Sequence, residues 1–325
     1  MLVLGASSNA NLTWHRNRCL LNHAMLYPRS HCGRRWAGRA LLGLIFTICC
    51  LASPNIAPAQ DSPVTYRHIV RRSPNFSIHV VTINLADPRV TIRVVGGGPV
   101  PDDKAPWVTT LLPPTEIANR EHFDIAINGD FFSAIATKDI EGRNTGFVRG
   151  KLAAPEGFAM TDGHLWHQTH QARPYLEITA DHTAKFVDGR LMKPIDPTAT
   201  EIVGGGQIIV LHGQAVNFGG AFATNRHPRT VVGLDRTGTK LTLFIVDGRQ
   251  ANLSIGMTLA DLSHEMIALG CDSALNLDGG GSTDLVWRDP NTHQLEIVNS
   301  PSDSKERSVA DVLGVTVEGP LPMAK

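Results

Sequence analysis

Eight short runs of β-branched and apolar residues, each closed by Gly, Pro, Asn or Asp, constrain this chain more than any other feature: 78–85, 90–95, 125–127, 208–211, 230–234, 241–246, 274–277 and 313–317. Runs of this length between turn formers suit strands, not helices. One segment differs. Over 259–269 the apolar residues Leu259, Leu262, Met266 and Leu269 recur at helical spacing. Thr258 with Asp261 three residues on resembles a capping box, and Gly270 supplies a left-handed stop. A second, shorter helix is expected over 114–122. No Pro/Ser-rich linker, charge run or internal repeat divides the body, and the tail from Gly319, with Pro320 and Pro322, is expected to fray. The expectation is a mixed α/β fold: one strand-rich domain with few helices, over residues 60–325.

Charge separates a leader from that body. The chain carries 30 Lys plus Arg against 30 Asp plus Glu, yet residues 1–59 hold six Arg and no acid. The remainder therefore has 24 basic and 30 acidic residues, a net of −6. Such a body lacks the basic footprint of a nucleic-acid binder, so no nucleic-acid partner is expected. Arg34, Arg35 and Arg39 form a positive n-region, 40–52 is an apolar run, and Ala57-Pro58-Ala59 offers a cleavage site before Gln60. The run is shorter than the roughly 20 residues that a membrane helix needs, so a signal peptide is expected, with no stable span after processing. The expected true start is Met25, and the expected product is secreted or periplasmic. Arg34-Arg35 leaves both the general and the twin-arginine export routes open. Cys19, Cys32, Cys49 and Cys50 all lie in the leader; Cys271, alone in the body, suits a small core residue.

Three apolar runs feed directly into polar or glycine-rich motifs. They are Asn128-Gly129-Asp130, Asp247-Gly248-Arg249, and Asp278 followed by Gly279, Gly280, Gly281 and Ser282. If the three strands neighbour one another in a sheet, the motifs share one rim, where ligands of α/β sheets bind. Asn-Gly and Asp-Gly are equally the residues of hairpin turns. Three consecutive glycines are harder to explain as a turn. Their entropic cost suggests that a ligand or another backbone comes close, and successive amides with the Ser282 hydroxyl suit an anion nest. Two further triplets, 96–98 and 204–206, carry the turn reading as well. His227-Pro228-Arg229-Thr230 leads into another strand, with Pro228 holding His227 extended. Arg229, Arg249 and Arg307 are candidates for bidentate phosphate contacts. His164, His167 and His170 recur every third residue, but Asp162, Gly163 and Trp166 suggest a hairpin instead of a metal site.

Together these motifs resemble the phosphodiester glycosidase family. The resemblance rests on Ile127 to Phe132, Val203 to Gly206 followed by Ile208 to Leu211, His227 to Thr230 and on through Asp235, Val246 to Arg249, Gly256-Met257-Thr258, Leu269-Gly270-Cys271, Asn276 to Ser282, and Glu306-Arg307, in that order over about 180 residues. It departs at Ser308, where the family often has Pro. Asp130 likewise stands where the family often has a small residue, which ranks it below Asp278 as a catalytic carboxylate. The implied activity is hydrolysis of the anomeric C–O bond of a sugar-1-phosphodiester, here in an envelope polymer, exopolysaccharide or other extracellular glycan. A phosphate leaving group needs little general-acid help. It needs cationic and amide contacts and a carboxylate near the developing oxocarbenium ion. The resemblance thus assigns Asp278, Asp247 and Arg229 to catalysis. Asn128, Asp130, His227, Thr230, Arg249, Gly279, Gly280, Gly281, Ser282 and Arg307 are assigned to the substrate and its phosphate. No cofactor is implied. Two alternatives stay open: a metal-assisted phosphodiesterase cutting P–O, with Asp130, Asp247 and Asp278 as hard ligands, and a binder of phosphorylated glycans without catalysis.

Overall fold

The computed structural model describes residues 62–100, 104–138, 141–143, 145–191 and 193–324. The leader, with the expected start and cleavage site, lies outside them. A seven-stranded sheet runs in the spatial order Val64–Arg72, Asn75–Asn84, Lys240–Val246, Arg229–Leu234, Ser273–Asn276, Gln207–Leu211 and Gln214–Ala215. A five-stranded sheet follows the order Leu295–Ile297, Leu285–Arg288, Ile125–Asn128, Asp311–Val317 and Val90–Gly96. All eight expected strands form, with ends shifted by up to three residues.

Alternation along each strand explains why the runs are apolar throughout. Leu243 and Ile245 enter a core shared with Ile127, Leu285, Trp287 and Leu313 of the five-stranded sheet. Phe244 and Val246, on the other face, pack under the helix residues Leu259, Leu262 and Met266. Val232 and Val231 divide in the same way. Side chains alternate across a strand, so a strand covered on both faces reads as a continuous apolar run. The outer face of the five-stranded sheet is covered by the Pro114–Arg120 helix, through Ile117 and Ala118 on Phe123, Ala126 and Val312. Helix, sheet, sheet and helix therefore stack in layers. Two further sheets complete the domain: one of five strands from Ala159–Thr161 to Ala199–Gly204, and one of three strands that includes Phe132–Ala134.

The Leu259–Ala268 helix begins as its sequence directs. The Asp261 N–H donates to Thr258 Oγ1 at 3.1 Å, and the Thr258 N–H donates to Asp261 Oδ2 at 3.0 Å. Gly270, at φ 84°, ends it. Asp162 and Gly163, at φ 48° and 77°, turn the hairpin that carries His164 and His167. Gly97 and Gly98 are small because a Cβ on either would collide with Thr110.

The α/β expectation needs correction. The fold is mainly β, and every strand pair among the described residues is antiparallel. Among the described residues there is therefore no parallel-sheet rim. Among the described residues no helix is long and apolar enough to cross a membrane.

Candidate active site

Antiparallel order still brings the motifs together. Arg229–Leu234 lies between Lys240–Val246 and Ser273–Asn276, with Arg229 opposite Val246 and Val231 opposite Asn276. The ends of its two neighbours and its own start therefore share one rim. Asp247, Asp278 and the His227-Pro228-Arg229 segment meet there. The third motif strand, Ile125–Asn128, belongs to the other sheet and reaches the same place across the core. Asn128 makes the junction: its Nδ2 donates to the Asp278 carbonyl at 2.8 Å, and its Oδ1 accepts from Thr230 Oγ1 at 2.7 Å. Asn128 and Thr230 are 1% and 0% exposed, so they tie the two sheets together instead of facing a substrate.

Asp278 is partly accessible at the centre of the rim. The Gly279 N–H donates to its Oδ1 at 2.8 Å. Burial pushes the carboxyl up to about 6; the Ser282 side chain, the Gly279 N–H and Arg307 oppose the rise, and the charge of Glu156 adds to it. A carboxyl poised between forms near neutral pH suits acid–base or electrostatic work.

Most amides of the glycine loop are already bonded within the protein, which leaves little of the expected anion nest. The Gly279 N–H is turned to Asp278, and the Gly280 N–H donates to the Pro228 carbonyl at 2.9 Å. The Ser282 and Thr283 amides donate back within the turn, to Gly279 and Gly280. The glycines instead admit two guanidinium groups. A Cβ on Gly280 would lie 3.0 Å from Arg249 Nη2, and one on Gly281 would overlap the Arg307 guanidinium. Gly280 also adopts φ 63°, where a side chain is strained. Arg307 is held by Asp303, at 2.6 Å from Nη2, and rests over the Phe147 ring at 5.1 Å. Arg249 is exposed and itself adopts φ 59°, a conformation that costs roughly 1–2 kcal/mol and is found where a site fixes the backbone. His227 Nδ1 lies 3.5 Å from Arg249 Nη2. Burial, then Arg229 and Arg249, hold its pKa down, so at neutral pH His227 is an uncharged acceptor.

Three assignments change with burial. Asp247 is 1% exposed. Its Oδ1 accepts from the Ser300 N–H at 2.8 Å and Asn299 Nδ2 at 3.2 Å, and its Oδ2 lies 3.6 Å from His79 Nε2. The aspartate anchors the loop that carries Arg249 and stands behind the rim. Arg229 is 1% exposed, with Nε on the Met257 carbonyl at 3.2 Å and Nη2 on those of Phe222 and Asn225 at 2.6 and 3.2 Å. Burial and then Arg249 lower its pKa to about 10, and its donors clamp two loops instead of a phosphate. Asp130 is 1% exposed and accepts from the Phe131 and Gly157 N–H groups at 2.8 and 2.5 Å. Gly157 and Gly204 leave it room, since a Cβ on either would press on Asp130 Oδ2. Asp130, Asp247 and Asp278 thus have separate hydrogen-bond partners, and among the described residues no three His, Cys, Asp or Glu side chains group as a metal site.

Several residues at the site carry no motif signal. Glu156 pairs with Arg173 at 2.8 Å, and Arg173 lies over the Phe131 ring at 5.3 Å. Phe131 meets the half-open Phe222 edge-on at 6.0 Å. Behind the loop, Asp284 is 0% exposed, and burial, with Glu306 next, pushes it up to about 8 against the opposing Arg307 N–H. Asp311, buried beside Asp130, is pushed up to about 7 by desolvation, with Asp278 adding to the rise.

The layered β-fold brings Arg249, Arg307 and the partly accessible Asp278 to one glycine loop, and comparison with known proteins gives the chain a family. The phosphodiester glycosidase profile matches residues 121–316, and the chain belongs to that family. The catalytic domain of zebrafish N-acetylglucosamine-1-phosphodiester alpha-N-acetylglucosaminidase, auto-inhibited by its pro-peptide, shares the fold at TM-score 0.55 and 20% identity, covering 81% of this chain and 85% of that one. An SPbeta prophage-derived uncharacterized protein of Bacillus subtilis is 35% identical over 91 residues, which cover 28% of this chain and 13% of that protein.

Proposed function

We propose that this protein is an exported hydrolase that cleaves the anomeric C–O bond of a sugar-1-phosphodiester in an envelope or extracellular glycan. One observation carries the reading: Asp278 is partly accessible beside the glycine loop on which Arg249 and Arg307 converge. Two guanidinium groups suit the phosphate, which needs charge stabilisation as the bond breaks. The carboxylate of Asp278 suits the cationic sugar carbon that develops beside it. The phosphate leaves with the electron pair of the broken bond, and water supplies the new anomeric hydroxyl. Family membership supports the glycosidase class, and the apolar run before Ala57-Pro58-Ala59 supports export.

The test is turnover on a panel of α- and β-glycosyl-1-phosphodiesters, with and without EDTA. Release of free sugar and phosphomonoester that EDTA leaves unchanged is expected. Affinity without turnover on every member would replace the enzyme with a glycan binder, and loss of turnover in EDTA would favour the metal-assisted route.

A further inference from the structure

Glu156 is a partly open carboxylate whose charge acts on Asp278. Its backbone is pinned: the Glu156 N–H donates to the Phe131 carbonyl at 2.8 Å, and the next N–H, of Gly157, donates to Asp130 Oδ2 at 2.5 Å. The same Asn128-to-Phe131 turn presents the Gly129 carbonyl to the Asp278 N–H at 3.1 Å. One short turn therefore fixes the backbones of both Glu156 and Asp278. The Glu156 side chain is 34% exposed, and Arg173 Nη1 holds its Oε2 at 2.8 Å, so it is oriented but open to water. Around it stand Arg173, Asp130 and Asp278, and the Gly157 carbonyl is hydrogen-bonded to His167 Nδ1 at 2.6 Å.

We propose that Glu156 is the general base of the reaction and that Arg173 positions it. This rests on the reading of the site as a sugar phosphodiester hydrolase. A phosphomonoester departs without protonation, yet the incoming water must lose a proton as its oxygen bonds to carbon. In the step assigned here the water oxygen bonds to the anomeric carbon and its proton passes to Glu156. The bond from that carbon to the phosphate oxygen breaks, and its electron pair leaves with the phosphomonoester. Glu156 then returns the proton to solvent. Asp278 and Glu156 thus divide the work: one faces the developing charge and the other the nucleophile.

The experiment uses the panel member that the wild-type chain turns over best, with Glu156→Gln and Glu156→Ala assayed with and without sodium azide. Both variants should lose about 100-fold or more in kcat with unchanged melting temperature. Azide needs no deprotonation, so it should restore at least about tenfold in Glu156→Ala and give a glycosyl azide. Either variant within about threefold of wild type, or a loss that azide does not relieve, overturns the assignment. A wild-type chain inactive on the whole panel would refute the hydrolase reading and this step with it; an active wild type with an indifferent Glu156→Gln refutes Glu156 alone.

Discussion

The Asp278 N–H donates to the Gly129 carbonyl at 3.1 Å, and this one bond joins the ends of strands from two different sheets. Gly129 is in turn fixed by Asp311: its N–H donates to the Asp311 carbonyl at 3.0 Å, and a Cβ on it would sit 2.5 Å from Asp311 Oδ1. The position of Asp278 is therefore set by the packing of the sheets and not by a loose loop.

Replacing Asp278 by Asn keeps size and most hydrogen-bonding shape and removes the charge. Turnover should fall about 100-fold or more. The fold should not weaken, because burial raises the carboxyl to about 6 and its ionised form is the costly one. Steady-state kinetics and melting curves at pH 8 check this: near-normal kcat would remove Asp278 from the chemistry.

Asp284 gives the protein a pH dependence of stability. Its folded-state value of about 8 exceeds the ordinary 3.8, so between these values the folded chain binds a proton that the unfolded chain has released. Stability must then fall as pH rises through that window, by an amount on the order of several kcal/mol if the shift is fully expressed. Urea melts at pH 5 and pH 9 should show the drop, and Asp284→Asn should reduce it, with the raised carboxyls of Asp278, Asp311 and Glu201 carrying the remainder. A wild-type profile that is flat or rises toward pH 9 would contradict the account.

Arg229 and Arg249 separate structure from binding. Arg229→Met strands the carbonyls of Phe222, Asn225 and Met257, and should cost about 2–4 kcal/mol of stability. Arg249→Ala, at an exposed guanidinium, should leave the melting temperature alone and raise KM about tenfold or more. Melts and KM values that reverse this order would return Arg229 to the phosphate.

Gly281→Ala puts a methyl group where Arg307 lies. The guanidinium must swing away from Ser282, so KM should rise by a factor similar to that of Arg307→Ala, and the double variant should add little. Full additivity in that cycle would show that the two residues act independently.

How much of this was legible in the sequence follows from what each signal measures. Alternating burial produced the apolar runs, and the Thr258 and Asp261 capping box is local, so strands and helix were both readable. Asp278 and its glycines were readable because consecutive glycines need a close neighbour. The identity of that neighbour was not: the guanidinium groups of Arg249 and Arg307 come from distant parts of the chain to lie against Gly280 and Gly281. Arg229 and Asp247 follow or begin apolar strands just as Asp278 does, and only burial shows that they face inward. Glu156 and Arg173 lie about 100 residues from Asp278 and carry no local pattern; the β topology alone brings them to the site. The strand-rich, helix-poor reading matches the structure, but the α/β label fits only loosely because the run-then-motif pattern does not say whether neighbouring strands are parallel.

Cleavage of carbon–oxygen and not phosphorus–oxygen is the central claim, and hydrolysis in ¹⁸O-water tests it directly. Mass spectrometry of the products of wild-type turnover should find the label in the anomeric hydroxyl of the released sugar and none in the phosphomonoester. Label in the phosphate would establish attack at phosphorus and contradict the role given to Asp278.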